Sequence, residues 1–416
     1  MARDLIICGL DIGTTAVRAV VAQKRKGSDK LTVIGLGEAP SAGIRKGVVV
    51  DVEEALPAIK EAIASAERAS GHKIHSVYLG ISGSHVSTRA SRGIISVSRA
   101  DQEISRDDVA RVIAQAQSIS IPLNREILHT LPKEFIVDGE GGIKDPMGMR
   151  GLRLETNSLV IDVSAPLIKN VIKCVEALGL DVDGLVLSSM AAARAVLSKR
   201  QMELGVIELD IGGGTSGLAV FEEGSLIHAA VLPIGGMHVT NDIAIGLRVN
   251  VDMAETIKLE YGVCKPDIIN KKEMINLDPE NGSEKATNVS RKEVAEIIEA
   301  RMEELFEMAE KELKKISKQA LFPAGVVLTG GSAKMIGAVD FAKDYLRLPA
   351  QASAPENIEG IVDQIAGPQY ATAVGLCLLG LDVEEGKAPP GLFPAGGASE
   401  NNSSGALRKW FKMFLP

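Results

Sequence analysis

Two short runs carry the residues best suited to chemistry. Asp11-Ile12-Gly13-Thr14-Thr15 and Asp210-Ile211-Gly212-Gly213-Gly214-Thr215 repeat one pattern in the two halves of the chain. Each follows an apolar, strand-like run and leads into another, so each reads as a β-hairpin with a glycine turn opened by an aspartate. A turn without Cβ atoms lets backbone N–H groups converge on an anion. A carboxylate beside it suits Mg²⁺, which takes carboxylate and water oxygens. Asp11 and Asp210 are therefore the candidate metal residues, and the two hairpins predict a phosphate clamp closing from both sides. A third turn, Gly330-Gly331-Ser332, ends the strand-like run Gly325–Thr329 and permits close approach to a flat group such as a purine. One glycine turn is commonplace, but three in this order point to a nucleotide.

The elements that must position these turns can be read on either side. A helix from Glu53 to Ser70 keeps Leu56, Ile59, Ile63 and Ala66 on one face and ends at Gly71. Val77–Ile81 reads as a buried strand. Residues 85–164 look like a separate small unit, with strand-like runs at Ile94–Val97, Ile127–Val137 and Leu152–Val163. Its helix opens at Ser105, with Asp108 three residues later as a capping box. Pro166 opens another helix, which ends at Gly179. Ser290 with Glu293 is a second capping-box match, opening a long charged helix to about Lys318. Ala371–Leu381 is apolar throughout and falls short of the ~20 residues a membrane span needs, so it reads as a core helix.

Composition narrows the function. The chain has 416 residues, enough for two or more domains. A net charge of −8 and a pI near 5.5 argue against a general nucleic-acid binder. Cys8, Cys174, Cys264 and Cys377 lack metal-ligand or paired spacing and read as buried thiols of a reducing compartment.

Residues 383–405 collapse to Glu, Gly, Pro, Ser and Asn, the composition of a flexible tether. Beyond it, Leu407, Trp410, Phe411 and Phe414 follow helical spacing, while Arg408, Lys409 and Lys412 fill the opposite arc. A short basic helix carrying the chain's single Trp suits the interface of an anionic membrane, each cation contributing ~1 kcal/mol. Docking on the protein's own body is the alternative. One such anchor is weak, and polymerisation would multiply it through avidity.

The order of the three turns resembles the ATPase fold shared by actin, Hsp70 and the sugar kinases. More closely, the run Leu131–Leu154, Ile81-Ser82-Gly83-Ser84-His85 and Pro233–Asp242 resemble FtsA, the actin-like family of bacterial cell division, over roughly residues 5–382. The resemblance implies an α/β actin-like ATPase fold of two duplicated halves with an FtsA-type inserted subdomain, a disordered tether and a C-terminal amphipathic helix. It implies subdomain 1A over 1–84 and 165–204, 1C over 85–164, 2A over 205–235 and 319–382, and 2B over 236–318. The linker would cover 383–405 and the membrane helix 406–416.

The same resemblance implies ATP and Mg²⁺ as ligands. Asp11 and Asp210 would line the metal, and Gly13, Thr14, Thr15 and Gly212, Gly213, Gly214, Thr215 would cradle the β- and γ-phosphates. Arg18, where many relatives have Lys, would reach the phosphates or else stand as an outward strand charge. Glu255 and Lys258 would contact ribose and adenine, and Gly330, Gly331 and Ser332 would form the adenosine motif. Relatives that hydrolyse ATP efficiently carry an acidic or amide residue where Ser188 stands, and an Asp where Gly217 stands. Both departures remove groups that orient water, so the expectation is a nucleotide binder with slow hydrolysis at most.

The implied partners are the C-terminal peptide of FtsZ, further copies of the chain, anionic membrane lipid and other division proteins, with no nucleic acid. The implied location is the cytoplasmic face of the cell membrane at the division site. Arg301 is the candidate for pairing with acidic groups of the peptide, and an ordinary surface ion pair along its own helix is the alternative. Filament contacts would involve the 85–164 subdomain. Other readings are the pilus-assembly actin homologue, a metabolite kinase, which leaves the tail unexplained, and a chaperone ATPase, which would need a peptide-binding domain after residue 382.

Overall fold

The computed structural model describes residues 5–25, 27–28, 30–270, 272–277, 288–316 and 322–393. β1 (Leu5–Ile12), β2 (Ala16–Lys24) and β3 (Leu31–Pro40) form an antiparallel meander. A small hairpin, β4 (Ile44–Arg45) and β5 (Val48–Val49), leads to α1 (Val52–Ser70) and then β6 (Ser76–Ile81), parallel to β1. Asp51 caps α1 by accepting the Glu53 and Glu54 N–H groups, and Gly71 ends it at φ 69°.

The inserted unit holds β7 (Ser87–Ser96), α2 (Arg106–Gln117), β8 (Arg125–Val137), β9 (Glu140–Ile143) and β10 (Arg153–Ser164) in a four-stranded sheet, β7-β10-β8-β9. The Ser105–Asp108 capping box is formed in both directions. α3 (Ala165–Glu176), β11 (Asp181–Leu187) and α4 (Ser188–Val196) return the chain to the first sheet.

The second half contains α5 (Lys199–Leu204), β12 (Val206–Ile211), β13 (Ser216–Glu222), β14 (Ser225–Leu232), α6 (Gly236–Leu247) and α7 (Val251–Tyr261). β15 (Met274–Asn276) and β16 (Asn288–Ser290) precede α8 (Arg291–Leu313). Then come β17 (Val326–Thr329), α9 (Ala338–Leu346), β18 (Ala350–Ala352), β19 (Ile358–Gly360) and α10 (Ala371–Glu384).

The first sheet runs β11-β6-β1-β2-β3-β19 and the second β18-β17-β12-β13-β14. Leaving β19 aside, the two orders are the same, with the aspartate strand in the middle of each. The sequence repeat is thus a repeat of topology, and the fold is the expected α/β duplication with a third, inserted sheet. Among the described residues, no helix is long and apolar enough to cross a membrane.

Two expectations need correction, besides the tether expected over 383–405, whose first residues pack on the fold: α10 runs on to Glu384, Leu392 is buried, and the Gly391 carbonyl accepts the Thr130 N–H at 2.9 Å. The segment 319–382 does not stay in one unit. β17 and β18 join the second sheet, whereas β19 pairs with β3 and α10 packs on β1, β2, β6 and α4 of the first half. α10 is buried at every residue from Ala371 to Leu381, and a helix apolar all round must be covered on every side. Gly9 and Gly375 make this cover possible, because a Cβ on either would collide with the carbonyl oxygens of Ala373 and Ala191. The second correction concerns Ser290. It is the last residue of β16 and precedes α8, but its side chain makes no cap bond. The buried face of α8 is Val294, Ala295, Ile298, Met302, Leu305, Phe306 and Ala309.

Candidate functional site

The two hairpins are closed by the same bond. Gly13 N–H donates to the Ala16 carbonyl at 3.1 Å, and Gly212 N–H donates to the Thr215 carbonyl at 3.0 Å. Each aspartate is the second-last residue of its strand, not part of the turn, and stands opposite Arg18 in one copy and Gly217 in the other. The turns face each other. A Cβ on Gly213 would fall 2.5 Å from Thr15 Cγ2, and one on Gly214 would fall 2.6 Å from Thr14 Oγ1. Glycine is required here because the opposite turn already fills the space. The first amides of α6 seal the second turn from behind, Gly236 N–H to Gly212 O at 2.9 Å and Met237 N–H to Gly213 O at 2.8 Å.

Between the halves lies a cleft of about 480 Å³, within the range of small-molecule sites. The structure brings every expected nucleotide position to its wall: Asp11, Gly13, Thr14, Thr15 and Arg18 from one half, and Asp210, Gly212, Gly213, Gly214 and Thr215 from the other. Glu255, Lys258, Gly330, Gly331 and Ser332 line the same cleft. Gly330 has φ 81°, and any Cβ there would strike Asp210 and the Ile211 carbonyl. Beside this turn Leu259, Met335 and Ile336 add apolar lining that motif reading missed.

The charges follow from burial. Asp11 is pushed up to about 7 by desolvation, with Arg18 opposing and Asp210 adding to the shift. The Asp210 carboxyl is raised by desolvation against a 3.1 Å hydrogen bond from Thr372 Oγ1. Both aspartates are half-buried in the cleft wall, where desolvation outweighs the pull of Arg18 and disfavours the ionised form. Among the described residues, no group of three His, Cys, Asp or Glu side chains could hold a metal by itself. That donor set fits Mg²⁺, which binds through one or two carboxylates, waters and phosphate oxygens. Four side-chain atoms in the cleft wall, Arg18 Nε, Ser188 Oγ, Ser189 Oγ and Gln369 Oε1, are buried without a partner. Unpaired buried polar atoms are costly, and a polar ligand would satisfy them.

Several side chains are already engaged. Arg18 Nη2 donates to Glu38 Oε1 at 2.7 Å and its guanidinium lies 5.6 Å from the Tyr370 ring centre. Lys258 Nζ donates to Glu255 Oε2 at 2.7 Å, Thr240 Oγ1 at 2.8 Å and the Gly236 carbonyl at 3.3 Å. Ser188 lines the cleft at the start of α4, and Gly217 faces Ser189: a Cβ there would fall 2.9 Å from Ser189 Cβ. Glu208, two residues before Asp210, is fully buried. Its carboxyl is pushed well up by desolvation, Oε1 accepts from Thr329 Oγ1 at 2.6 Å, and Oε2 has no partner. A polar residue amid the apolar run Val206–Leu209 was the available signal for it.

Arg301 lies outside the cleft. It forms a two-bond pair with Asp242 of α6, at 2.6 and 2.8 Å, and also binds Glu304. Helical spacing accounts only for Glu304, and the main partner is on another helix. Leu407, Arg408, Lys409, Trp410, Phe411, Lys412 and Phe414 lie outside the described residues.

Residues 207–375 match the family described as cell division protein FtsA, and residues 83–162 match the SHS2 domain inserted in FtsA. A cell division protein FtsA of Pseudomonas aeruginosa is 40% identical over 376 residues, covering 90% of this chain and 89% of that protein. The Bacillus subtilis FtsA is 37% identical, covering 90% and 83%. Among solved structures, a PilM–PilN type IV pilus biogenesis complex superposes with TM-score 0.66 at 18% identity, covering 90% of this chain and 98% of that one. MreB5 of Spiroplasma citri bound to AMPPNP gives 0.54 at 13% identity, covering 92% and 97%. A MamK double helical filament gives 0.51 at 11%, covering 90% and 98%. These three establish the actin-like fold and nothing narrower.

Proposed function

The chain belongs to the FtsA family of cell-division proteins, and from that premise we propose that it is an ATP-binding, actin-like protein that polymerises on the inner face of the membrane. In this reading it anchors FtsZ filaments there through their C-terminal peptide and helps recruit other division proteins. The observation that carries the nucleotide part is the pair of identically closed turns meeting face to face across the cleft.

Asp11 and Asp210 would hold Mg²⁺, which when bound neutralises phosphate charge. The amides of Thr14, Thr15 and 213–215 would take the phosphate oxygens, those of Gly13 and Gly212 being used to close the turns. Gly330 and Gly331 with Leu259 and Ile336 would flank the purine. Ser188 and Gly217 offer no carboxylate or amide to orient water, so the nucleotide is held as a ligand of conformation and assembly, with slow hydrolysis at most. MamK, of the same fold, forms a double helical filament, and self-association fits a fold with two halves placed around a nucleotide.

Membrane attachment rests on the sequence of residues 406–416, a basic amphipathic segment after a polar tether. Identity of 35–40% to division proteins over most of the chain favours this reading over pilus assembly, where the likeness is one of fold. The test is sedimentation with anionic liposomes in the presence of MgATP, with and without FtsZ C-terminal peptide. The intact chain should co-sediment, carry the peptide with it and show a blue shift of Trp410 emission. Unchanged sedimentation after deleting 406–416 would overturn the anchor.

A further inference from the structure

The small β4–β5 hairpin is turned by Lys46-Gly47, both residues with positive φ, 49° and 71°. This is the geometry of a two-residue type I′ turn, which favours Asn-Gly or Gly-Gly. A lysine in the left-handed region is an unfavourable backbone choice. Nothing in the hairpin's own packing asks for it, since the Lys46 side chain is exposed and has no ion pair among the described residues.

Contacts fix where this tip lies. Gly47 N–H donates to Thr14 Oγ1 at 3.0 Å, and Ser41 N–H donates to the Thr15 carbonyl at 3.1 Å, tying the hairpin to the first turn. From the other half, a Cβ on Gly214 would fall 3.1 Å from Lys46 Cα. The tip therefore touches both turns of the clamp where they meet. It is also at the end remote from the purine turn. Gly236, bonded to Gly212, lies beside Ser332 and Lys258, whereas Gly214, two residues further along the loop, lies beside Thr14 and Lys46. Lys46 stands at the rim, outside the residues that line the cleft, and the cations that do line it are committed or misplaced for that end. Arg18 is held by Glu38, Lys258 by Glu255, and Lys334 follows the purine turn.

We propose that Lys46 supplies the cation for the terminal phosphate of a bound nucleoside triphosphate, so that the β4–β5 tip distinguishes triphosphate from diphosphate while touching both halves. This rests on the nucleotide reading above. A lysine extending from this Cα is long enough to cross the meeting point of the turns, and its ammonium would meet the phosphate group that a diphosphate lacks. A distinction of this kind gives the assembly a signal for nucleotide state.

The experiment measures AMPPNP and ADP affinities of the full chain with Mg²⁺ for wild type, Lys46→Gly and Lys46→Arg. Glycine suits the positive φ, so Lys46→Gly removes the cation without straining the turn, and its thermal midpoint should match or exceed wild type. The expected result is about a tenfold loss for AMPPNP in Lys46→Gly, corresponding to about 1.4 kcal/mol. ADP affinity should stay within twofold, and Lys46→Arg should restore most of the loss. An unchanged AMPPNP/ADP ratio, or parallel loss of both, overturns the Lys46 assignment while leaving nucleotide binding intact. A wild type that binds neither ligand overturns the nucleotide reading and this inference with it.

Discussion

His129 on β8 accepts the Leu187 N–H on Nε2 at 3.1 Å, and its Nδ1 donates to the Leu392 carbonyl at 2.5 Å. The ring is fully buried. Leu187 immediately precedes Ser188 and Ser189 in the cleft wall, and Leu392 lies just before the C-terminal segment. One imidazole thus ties the wall of the cleft to the segment that follows α10, and only its neutral form can both donate and accept here.

Acid should release this tie. Burial pushes His129 down to about 4, below the ~6.5 of an unfolded chain. The folded state therefore binds fewer protons than the unfolded state between these values. The contribution is full above pH 6.5 and is lost as pH falls toward 4, by about 1.4 kcal/mol per pH unit. His85, also lowered to about 4 by burial and Arg125, acts in the same window. Urea denaturation from pH 8 to 4.5 should show the loss, and His129→Gln, which can still donate and accept, should have a shallower slope. An equal slope in both proteins would contradict the account.

Much of the cleft was legible because its turns are chemically demanding. Only glycine fits where Gly213 and Gly214 meet Thr15 and Thr14, so the composition of the turns shows in the sequence. The inserted unit was equally legible, through alternating runs that became β8 and β10. The placement of α10 was not, because uniform burial tells that a helix is covered but not by which sheet. Arg301 illustrates the same limit: spacing along α8 points to Glu304, while Asp242 is 59 positions away. Ser290 matched a local motif, and α8 does begin after it, but the side-chain cap bond that the motif implies is not formed.

Gly217→Asp would install a carboxylate able to orient water, at a position already closed by Ser189. The 2.9 Å approach to Ser189 Cβ predicts overpacking, about 1–3 kcal/mol of lost stability. Ser189→Gly in the same chain should recover most of it, because the colliding atoms are gone. Thermal midpoints of the single and double variants test the packing, and phosphate release in the double variant reads whether the carboxylate raises turnover. A Gly217→Asp protein as stable as wild type would contradict the steric argument.

The Arg301–Asp242 pair joins α8 to α6 with two bonds, both side chains about a quarter exposed. A double-mutant cycle with Arg301→Ala and Asp242→Ala should give a coupling of about 1 kcal/mol, at the upper end for such pairs. If Arg301 also receives an acidic peptide, Asp242→Asn should strengthen FtsZ-peptide binding by freeing the guanidinium, whereas Arg301→Ala should weaken it. Tighter binding by neither variant and no loss with Arg301→Ala would leave the arginine purely structural.

Asp210 separates the cost of a buried charge from its use. The carboxyl is half-buried in the cleft wall and raised by desolvation, with one hydrogen bond from Thr372. Asp210→Asn keeps an acceptor for that hydroxyl and removes the charge, so the ligand-free protein should be at least as stable as wild type. The loss should appear only with MgATP. Ligand that binds the folded state alone stabilises it by RT ln(1 + [L]/Kd) and so raises the midpoint, and wild type should show that rise with a further increment from Mg²⁺. The variant should lose the Mg²⁺ increment, with at least a tenfold weaker response to the metal. A variant that is markedly less stable without ligand would mean that Asp210 holds the fold together, and its effect on nucleotide binding could then be indirect. Equal midpoints without ligand and unequal midpoints with MgATP would locate its role in the cleft.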